Sequence, residues 1–494
     1  MFGKRDAAWA TDYDEIAQGT RSNEEIKFDV VVREWLEFHR CVWRGHLVSA
    51  LYNYLYENPH AQARSKYKHL LVDEFQDLNP VEQQILSLLA QNAAICVFGD
   101  ENQSIYSFRY ANPKGILQWG QGKPAAEFVS FTLSDCYRCP KNIVEMANHL
   151  ITHNTGYTNP DRNLIAQPDR CGEGRSIWGV FETTSEEIDW IAASVKRRLD
   201  EGLSGSDVLI LAPNVGIANK IARVIFGSGI TARCYYDESI LTTNIARVAF
   251  SMLNLLVNPD DAASLRWLLG NGSRDWHADA YGAATAYAHE NGGTVRDCLD
   301  RAASGQIELL GATHLVSRFK KLKVELAELQ SLGIALLLDQ LFPANNDAVA
   351  GLRRIAEAAA KPRGAKLSDI LAAIHDSLKT PKANAEVDAV RIMSLHKSKG
   401  LGARVVYVAG CANDYLPGHK PSGLTDAEWK IRLEERRRLF YVALTRVKGS
   451  SKEPQGEIIL THAVKNGRRS TRSPSIFIRE LGGAKPIPVA DPEA

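Results

Sequence analysis

The chain has 494 residues, 45% of them hydrophobic and 24% charged, a length that suits about two to four domains with sizeable cores. Fifty-nine basic residues against 58 acidic ones leave a net charge of +1, which neither suggests nor excludes nucleic acid, because a binding groove needs only local basicity. No run of about 18 apolar residues offers a membrane span, "MFGKRDAAWATDYDEIAQ" lacks a signal-peptide core, and eight scattered cysteines argue against a disulfide scaffold. The expectation is a cytoplasmic chain with no membrane partner.

In chain order, residues 24–57 read as helices, with Ile26, Val30, Trp35, Leu36, Leu47, Leu51 and Leu55 near helical spacing. A short apolar strand at Leu70–Val72 follows, inside "KHLLVDEFQDLNP", and ends in Asp73 and Glu74. "PVEQQILSLLA" predicts a helix with Pro80 in its first turn, where the missing N–H costs nothing. "AAICVFGD" predicts a second strand, ending at Asp100. Strand, helix, strand, with polar residues at the strands' C-terminal ends, is how a parallel α/β sheet presents a site.

Beyond a linker around 120–128, strands are expected at 176–181, 207–213 and 232–236. From 244 to 385 the texture turns to Ala- and Leu-rich helices, such as "ARVAFSMLNLLV" and "VELAELQSLGIALLLDQLF". Strands return at 390–396, 403–410 and 456–463. A helical block interrupting an α/β pattern that later resumes predicts an inserted domain. The Pro- and Ala-rich tail, 483–494, is expected to be flexible.

Two adjacent carboxylates at a sheet edge suit phosphate-transfer chemistry, one holding Mg²⁺ and the other activating water. The plain alternative for Asp73 and Glu74 is an acidic helix cap. "VFGDENQSIYSFRYA" (97–111) adds Asp100, Gln103 and Arg109 and interleaves Tyr106, Phe108 and Tyr110. Exposed aromatics near cations stack on bases regardless of sequence, although core packing is the ordinary fate of any single one. Cys136 and Cys139 have CxxC spacing, but no second pair completes a tetrahedral zinc site. "HKSKG" (396–400) and the run Arg436, Arg437, Arg438 could be merely solvated. Their settings, after an apolar strand and before "LFYVALTR", favour a role, with at least one arginine supporting Arg446.

"VDEFQD", "GDENQSIYSFRYA", "LSDCYRCPKNI", "VRIMSLHKSKGLGARVVYVAG" and "EERRRLFYVALTRVKG" resemble, in order, motifs II to VI of UvrD/Rep/PcrA-type superfamily 1 helicases. The likeness covers about residues 28–480, and the helical block falls between motifs IV and V, where that family carries an insertion. It implies an α/β fold of two RecA-like parallel-sheet (P-loop NTPase) domains, the first incomplete, with a helical insertion in the second. The implied pieces are a helical remnant (1–65), the first domain's C-terminal part (66–128), the second domain in two parts (129–243 and 386–482), and the insertion (244–385). The implied activity is an ATP- and Mg²⁺-dependent 3′-to-5′ DNA helicase acting on single-stranded DNA and single-strand/duplex junctions.

Residue by residue, the resemblance makes Asp73 the Mg²⁺ ligand, Glu74 the water-activating residue and Gln103 the γ-phosphate sensor. Tyr137 would stack on adenine, and Arg138 and Arg446 would reach the γ-phosphate with their permanent charge and planar fork. Tyr106, Phe108, Arg109, His396 and Lys397 would contact DNA. The sequence departs from the family at Gly402, where a glutamate is usual, at Cys136, where an asparagine is usual, and at "LLGNGSRDW" in the insertion. No GxxxxGK[ST] occurs in the 494 residues. The reading is therefore of a truncated or split helicase, inactive alone, with the phosphate loop lost or carried by a separate polypeptide. The alternative is a non-hydrolysing relative that binds nucleic acid or a partner.

Overall fold

The computed structural model describes residues 46–120, 128–155, 163–235, 241, 243–362, 364–379, 388–452, 455–466, 470–482 and 487–488, with Val30, Val32, Glu34 and Leu36. Most of the helical stretch expected before His46, the linker core at 121–127 and most of the tail lie outside the described residues.

The first region runs α1 (His46–Glu57), β1 (His69–Val72), α2 (Pro80–Leu89), β2 (Ala94–Val97) and the short α3 (Lys114–Gln118). β1 and β2 pair in parallel, from His69 opposite Ala94 to Val72 opposite Val97. Pro80 does open α2. Asn79 and Glu82 close a reciprocal capping box there, with each side chain accepting the other's backbone N–H at 2.9 and 2.8 Å. Along both strands exposed residues alternate with half-buried ones, and Leu71 is 77% exposed.

The second region opens with β3 (Asp135–Cys136), α4 (Lys141–Ile151), β4 (Ile165–Ala166) and α5 (Pro168–Cys171). It continues through β5 (Arg175–Thr183), α6 (Thr184–Asp200), β6 (Val208–Ala212), α7 (Val215–Gly227) and β7 (Ala232–Cys234). Among the described residues eight α-helices follow, from α8 (Asn244–Val257) to α15 (Leu367–Lys379). The sheet then resumes with β8 (Val390–Ser394), β9 (Val405–Val408), α16 (Asp426–Leu444), β10 (Glu457–Asn466), β11 (Ser470–Thr471), α17 (Ile476–Arg479) and β12 (Ile487–Pro488). The strand order is β12-β5-β10-β9-β6-β8-β7, every neighbour parallel, with β11 antiparallel against β10. Two residues of the supposedly flexible tail thus lie beside β5 as β12.

This sheet is covered on both faces, which is why β6 reads as an unbroken apolar run, VLILA. Leu209 and Leu211 pack with α4 and α16, while Val208, Ile210 and Ala212 pack with α6 and α7, as the two-residue period of a strand requires. The helices start on side-chain caps: Thr183 for α6, Asn214 for α7, and a Thr425/Glu428 capping box for α16. Val48–Tyr236 and Asn384–Ala494 fall in one compact unit, which holds both the short sheet and the long one, and Asp237–Ala383 falls in a second.

The second unit has its own core, in which Leu253, Leu269, Leu299, Leu315, Leu352 and Ile370 are fully or almost fully buried. The apolar stretch read as one helical texture breaks after Gln330, and a new helix begins at Ile334. The "GNGSRDW" turn is tied down by Arg266, which donates to the Trp276 carbonyl at 2.8 Å, and by Trp267 against Trp276, ring centres 4.9 Å apart.

Candidate active site

β1 delivers its chain into a tight turn carrying Asp73 and Glu74, both exposed. Glu74 adopts the left-handed conformation, φ 54° and ψ 39°, which costs a non-glycine residue about 1–2 kcal/mol. The Asp73 carboxylate accepts the Glu74 N–H at 2.8 Å and helps hold the turn. Gln76, fully buried, fixes the Glu74 side chain by donating from Nε2 to its carboxylate at 2.6 Å. The Gln76 Oε1 accepts the Asp100 N–H at 3.1 Å, so one amide joins the ends of β1 and β2. Gly99 permits this approach, since a Cβ there would lie 2.3 Å from Gln76 Oε1. Gln103 donates to Asp100 at 2.8 Å, and burial pushes the Asp100 carboxyl above its usual range.

The turn after β8 meets this acidic turn. Lys399, its side chain only 6% exposed, donates to Asp77 at 2.6 Å and to the Gln103 carbonyl at 2.9 Å. Its ammonium also lies 3.2 Å from the Glu74 carboxylate and 5.5 Å from the centre of the Tyr106 ring. Burial pushes Asp77 upward, opposed by this same lysine. Lys397 turns the other way and donates to the Tyr235 carbonyl at 2.9 Å. Arg438, from α16, donates to the Ser104 carbonyl at 2.8 Å, and the Ser107 N–H donates to Glu435 at 2.9 Å.

Beside this junction the aromatic residues cluster. Phe108 is 61% exposed and stands edge-on to Tyr106 at 5.8 Å and to His396 at 6.0 Å. The Arg109 guanidinium lies 5.9 Å from the Tyr106 ring centre. Burial lowers the His396 imidazole below its usual range and raises the Tyr106 phenol. A largely neutral histidine beside an exposed phenyl ring and a cation makes a surface suited to stacking bases.

The residues expected at the nucleotide divide into two kinds. Tyr137 and Arg138 are exposed on the loop between β3 and α4, and the Arg170 guanidinium sits 5.0 Å from the Tyr137 ring centre. Arg446 is 1% exposed. It donates to the Val442 carbonyl at 2.8 Å, the Leu401 carbonyl at 3.1 Å and the Thr445 hydroxyl at 3.1 Å. Burial, with Arg138 nearby, lowers it to about 10, so it stays charged at neutral pH. The expected support from the arginine run takes another form. Arg437 pairs with Glu480 through two bonds of 2.7 and 2.9 Å and donates to Asn154 at 2.6 Å, pinning α16 rather than Arg446. At Gly402 a Cβ would fall 2.8 Å from Lys448 Cε and 3.2 Å from the Arg446 carbonyl, so a longer side chain there would displace Lys448.

The structure therefore brings Glu74, Gln103, Tyr106, Phe108, Arg109 and His396 together around Lys399. Gln76 and Asp77 were not singled out from sequence as site residues, and Lys399 was read with His396 and Lys397 as part of one functional turn, without its partners. Gln76 and Asp77 complete "DEFQD" and Lys399 lies in "HKSKG", but Gln76 bonds Asp100, 24 positions on, and Asp77 and Lys399 are 322 positions apart. Asp73 presents the hard, exposed oxygen that Mg²⁺ takes from proteins, usually one or two carboxylates with water filling the rest.

Two family models match the chain: the UvrD/REP helicase N-terminal domain over residues 3–123, and the UvrD-like helicase C-terminal domain over 131–308 and 347–450. The chain is 26% identical to the ATP-dependent DNA helicase UvrD1 of Mycobacterium leprae, over 78% of this chain and 55% of that protein. It is 25% identical to the ATP-dependent DNA helicase PcrA of Bacillus subtilis, over 84% of this chain and 58% of that protein. The matches span little more than half the length of these relatives. Since the C-terminal model alone takes in more than half of the residues, and the N-terminal one takes in the acidic turn, the chain belongs to the UvrD/Rep/PcrA-type superfamily 1 DNA helicases.

Proposed function

We propose that the chain works as the DNA-gripping and cleft-closing part of an ATP-dependent 3′-to-5′ DNA helicase acting on single strands and single-strand/duplex junctions. We further propose that these 494 residues alone do not turn over ATP usefully. The observation that supports the reading is Lys399, whose buried ammonium joins the Glu74 carboxylate to the turn bearing His396. A group of the hydrolytic turn and a group of the stacking surface thereby share one contact.

Bound Mg²⁺ and ATP would supply the electrophilic phosphorus and the charge that drives cleft closure. Asp73 would hold the metal. Glu74, oriented by Gln76, takes the proton of the attacking water, while Gln103 senses the γ-phosphate from beside Lys399. Tyr137 stacks on the base and Arg138 neutralises charge at the γ-phosphate, where Arg446 joins it only by leaving its Val442, Leu401 and Thr445 partners. Phe108, Tyr106, Arg109 and His396 hold the strand, and Lys397 joins them only by leaving the Tyr235 carbonyl. A phosphate loop is not among the 494 residues, and removing even one preorganised donor of that kind costs about 2.7–4 kcal/mol of transition-state stabilisation. Activity thus depends on a polypeptide segment that carries the loop.

The DNA-binding part is tested by fluorescence anisotropy with a labelled oligothymidylate. Binding should weaken with rising salt, and Phe108→Ala should weaken it by about 1–3 kcal/mol, the worth of one base stack. Equal binding by parent and Phe108→Ala would remove the stacking surface from the account. The same missing sequence supports a second reading, a helicase relative that binds without hydrolysing. Adding a phosphate-loop segment from a relative separates the two. DNA-stimulated hydrolysis that appears on addition and disappears with Glu74→Gln supports the motor, whereas no hydrolysis supports the binding-only protein.

A further inference from the structure

Cys136 and Cys139 flank Tyr137 and Arg138 on the loop that leads into α4. Both thiols are free. Cys136, at the end of β3, is partly exposed, whereas Cys139 is 1% exposed and donates its S–H to the Thr445 carbonyl at 3.5 Å. The Gly449 N–H donates to the Arg138 carbonyl at 2.6 Å, so this loop is stitched at two points to the segment around Arg446. The Cys139 thiol beside it, the N–H groups of Cys139 and Arg138, and the Arg138 charge together lower Cys136 to about 6, against burial. The bond with Cys136 and burial push Cys139 well above the usual thiol range. An accessible thiolate three positions from a buried, protonated thiol is the arrangement of an attacking and a resolving cysteine. The other common use of CxxC, a metal site, lacks support: among the described residues no group of three ligating side chains could hold an ion.

We propose that Cys136 and Cys139 form a redox-active dithiol, converted by a small-molecule disulfide into an intramolecular disulfide that braces the Tyr137–Arg138 loop. The Cys136 thiolate attacks one sulfur of glutathione disulfide, forming a mixed disulfide and releasing one glutathione thiolate. Cys139 then gives up its proton and attacks the Cys136 sulfur, forming the Cys136–Cys139 bond and expelling the second glutathione. The protein dithiol loses two electrons and two protons, and one glutathione disulfide becomes two glutathione thiols. The Cys139 S–H bond to Thr445 is lost in the process, which loosens one of the two ties to the Arg446 segment. A consequence for nucleotide use rests on the function proposed above; the sulfur chemistry does not.

The test uses the reduced 494-residue chain, incubated with glutathione disulfide, blocked with N-ethylmaleimide and mapped by peptide mass spectrometry. The expected product is an internal Cys136–Cys139 disulfide that reduced glutathione reverses. Cys171, whose thiol is raised by burial and then by the nearby Cys136 charge, is the competing partner. A Cys136–Cys171 bond, or a mixed disulfide that persists on Cys136, would overturn the proposal. Independently, iodoacetamide labelling of Cys136 should have a pH midpoint near 6, moving upward in Cys139→Ala. An unchanged midpoint would contradict the pairing.

Discussion

The short β1–β2 sheet and the long sheet of the second region follow the same parallel logic but are covered differently. In β6 and β9 every residue is buried, because helices lie on both faces and alternate side chains enter two separate cores. In β1 and β2 no residue is buried and Leu71 is largely exposed. The first region nevertheless carries the more elaborate polar turn, with Gln76 and Gly99 fitted to each other. Stability and chemistry are thus placed apart: the long sheet holds the unit together, and the short sheet presents carboxylates from a thin support.

This contrast can be broken by substitution. The largest expected effect is Arg437→Ala, which leaves the Glu480 carboxylate without its buried partner and should cost about 3–5 kcal/mol in chemical unfolding. Ile210→Ala, in the middle of β6, should cost about 2–5 kcal/mol. Leu71→Ala in β1 should stay within about 0.5 kcal/mol, as for other exposed positions. A Leu71→Ala cost equal to that of Ile210→Ala would mean that the two sheets are covered alike.

A pH series sharpens the same comparison. His462, on β10, is buried against Trp178, ring centres 6.0 Å apart and nearly parallel. Burial holds its imidazole below the usual range, so below about pH 6.5 the unfolded chain binds more protons than the folded one. This contribution to stability is complete above that pH and is lost as pH falls. His462→Phe should flatten the acid limb of the stability curve, while Leu71→Ala should leave its shape unchanged. An acid limb identical in His462→Phe and the parent would contradict the assignment.

Much of this was legible in sequence where a pattern is local. The long sheet's strands announced themselves as apolar runs, α2 by its proline, and the inserted block by its change of texture. Side chains that act through distant partners were not legible. Lys399 and Lys397 sit two residues apart in one basic turn, and nothing in "HKSKG" tells which one faces Asp77 and which faces the Tyr235 carbonyl. The arginine run read as support for Arg446, and the actual partner of Arg437 was not legible because Glu480 lies 43 residues away. β12 was missed because a two-residue strand containing a proline has no period to detect.

The most direct test of the central claim is steady-state ATP hydrolysis by the 494-residue chain with Mg²⁺ and saturating single-stranded DNA. The account predicts a rate no higher than that of the Glu74→Gln variant, because the acidic turn is built while no phosphate loop is among these residues. Robust DNA-stimulated turnover that Glu74→Gln abolishes would contradict it.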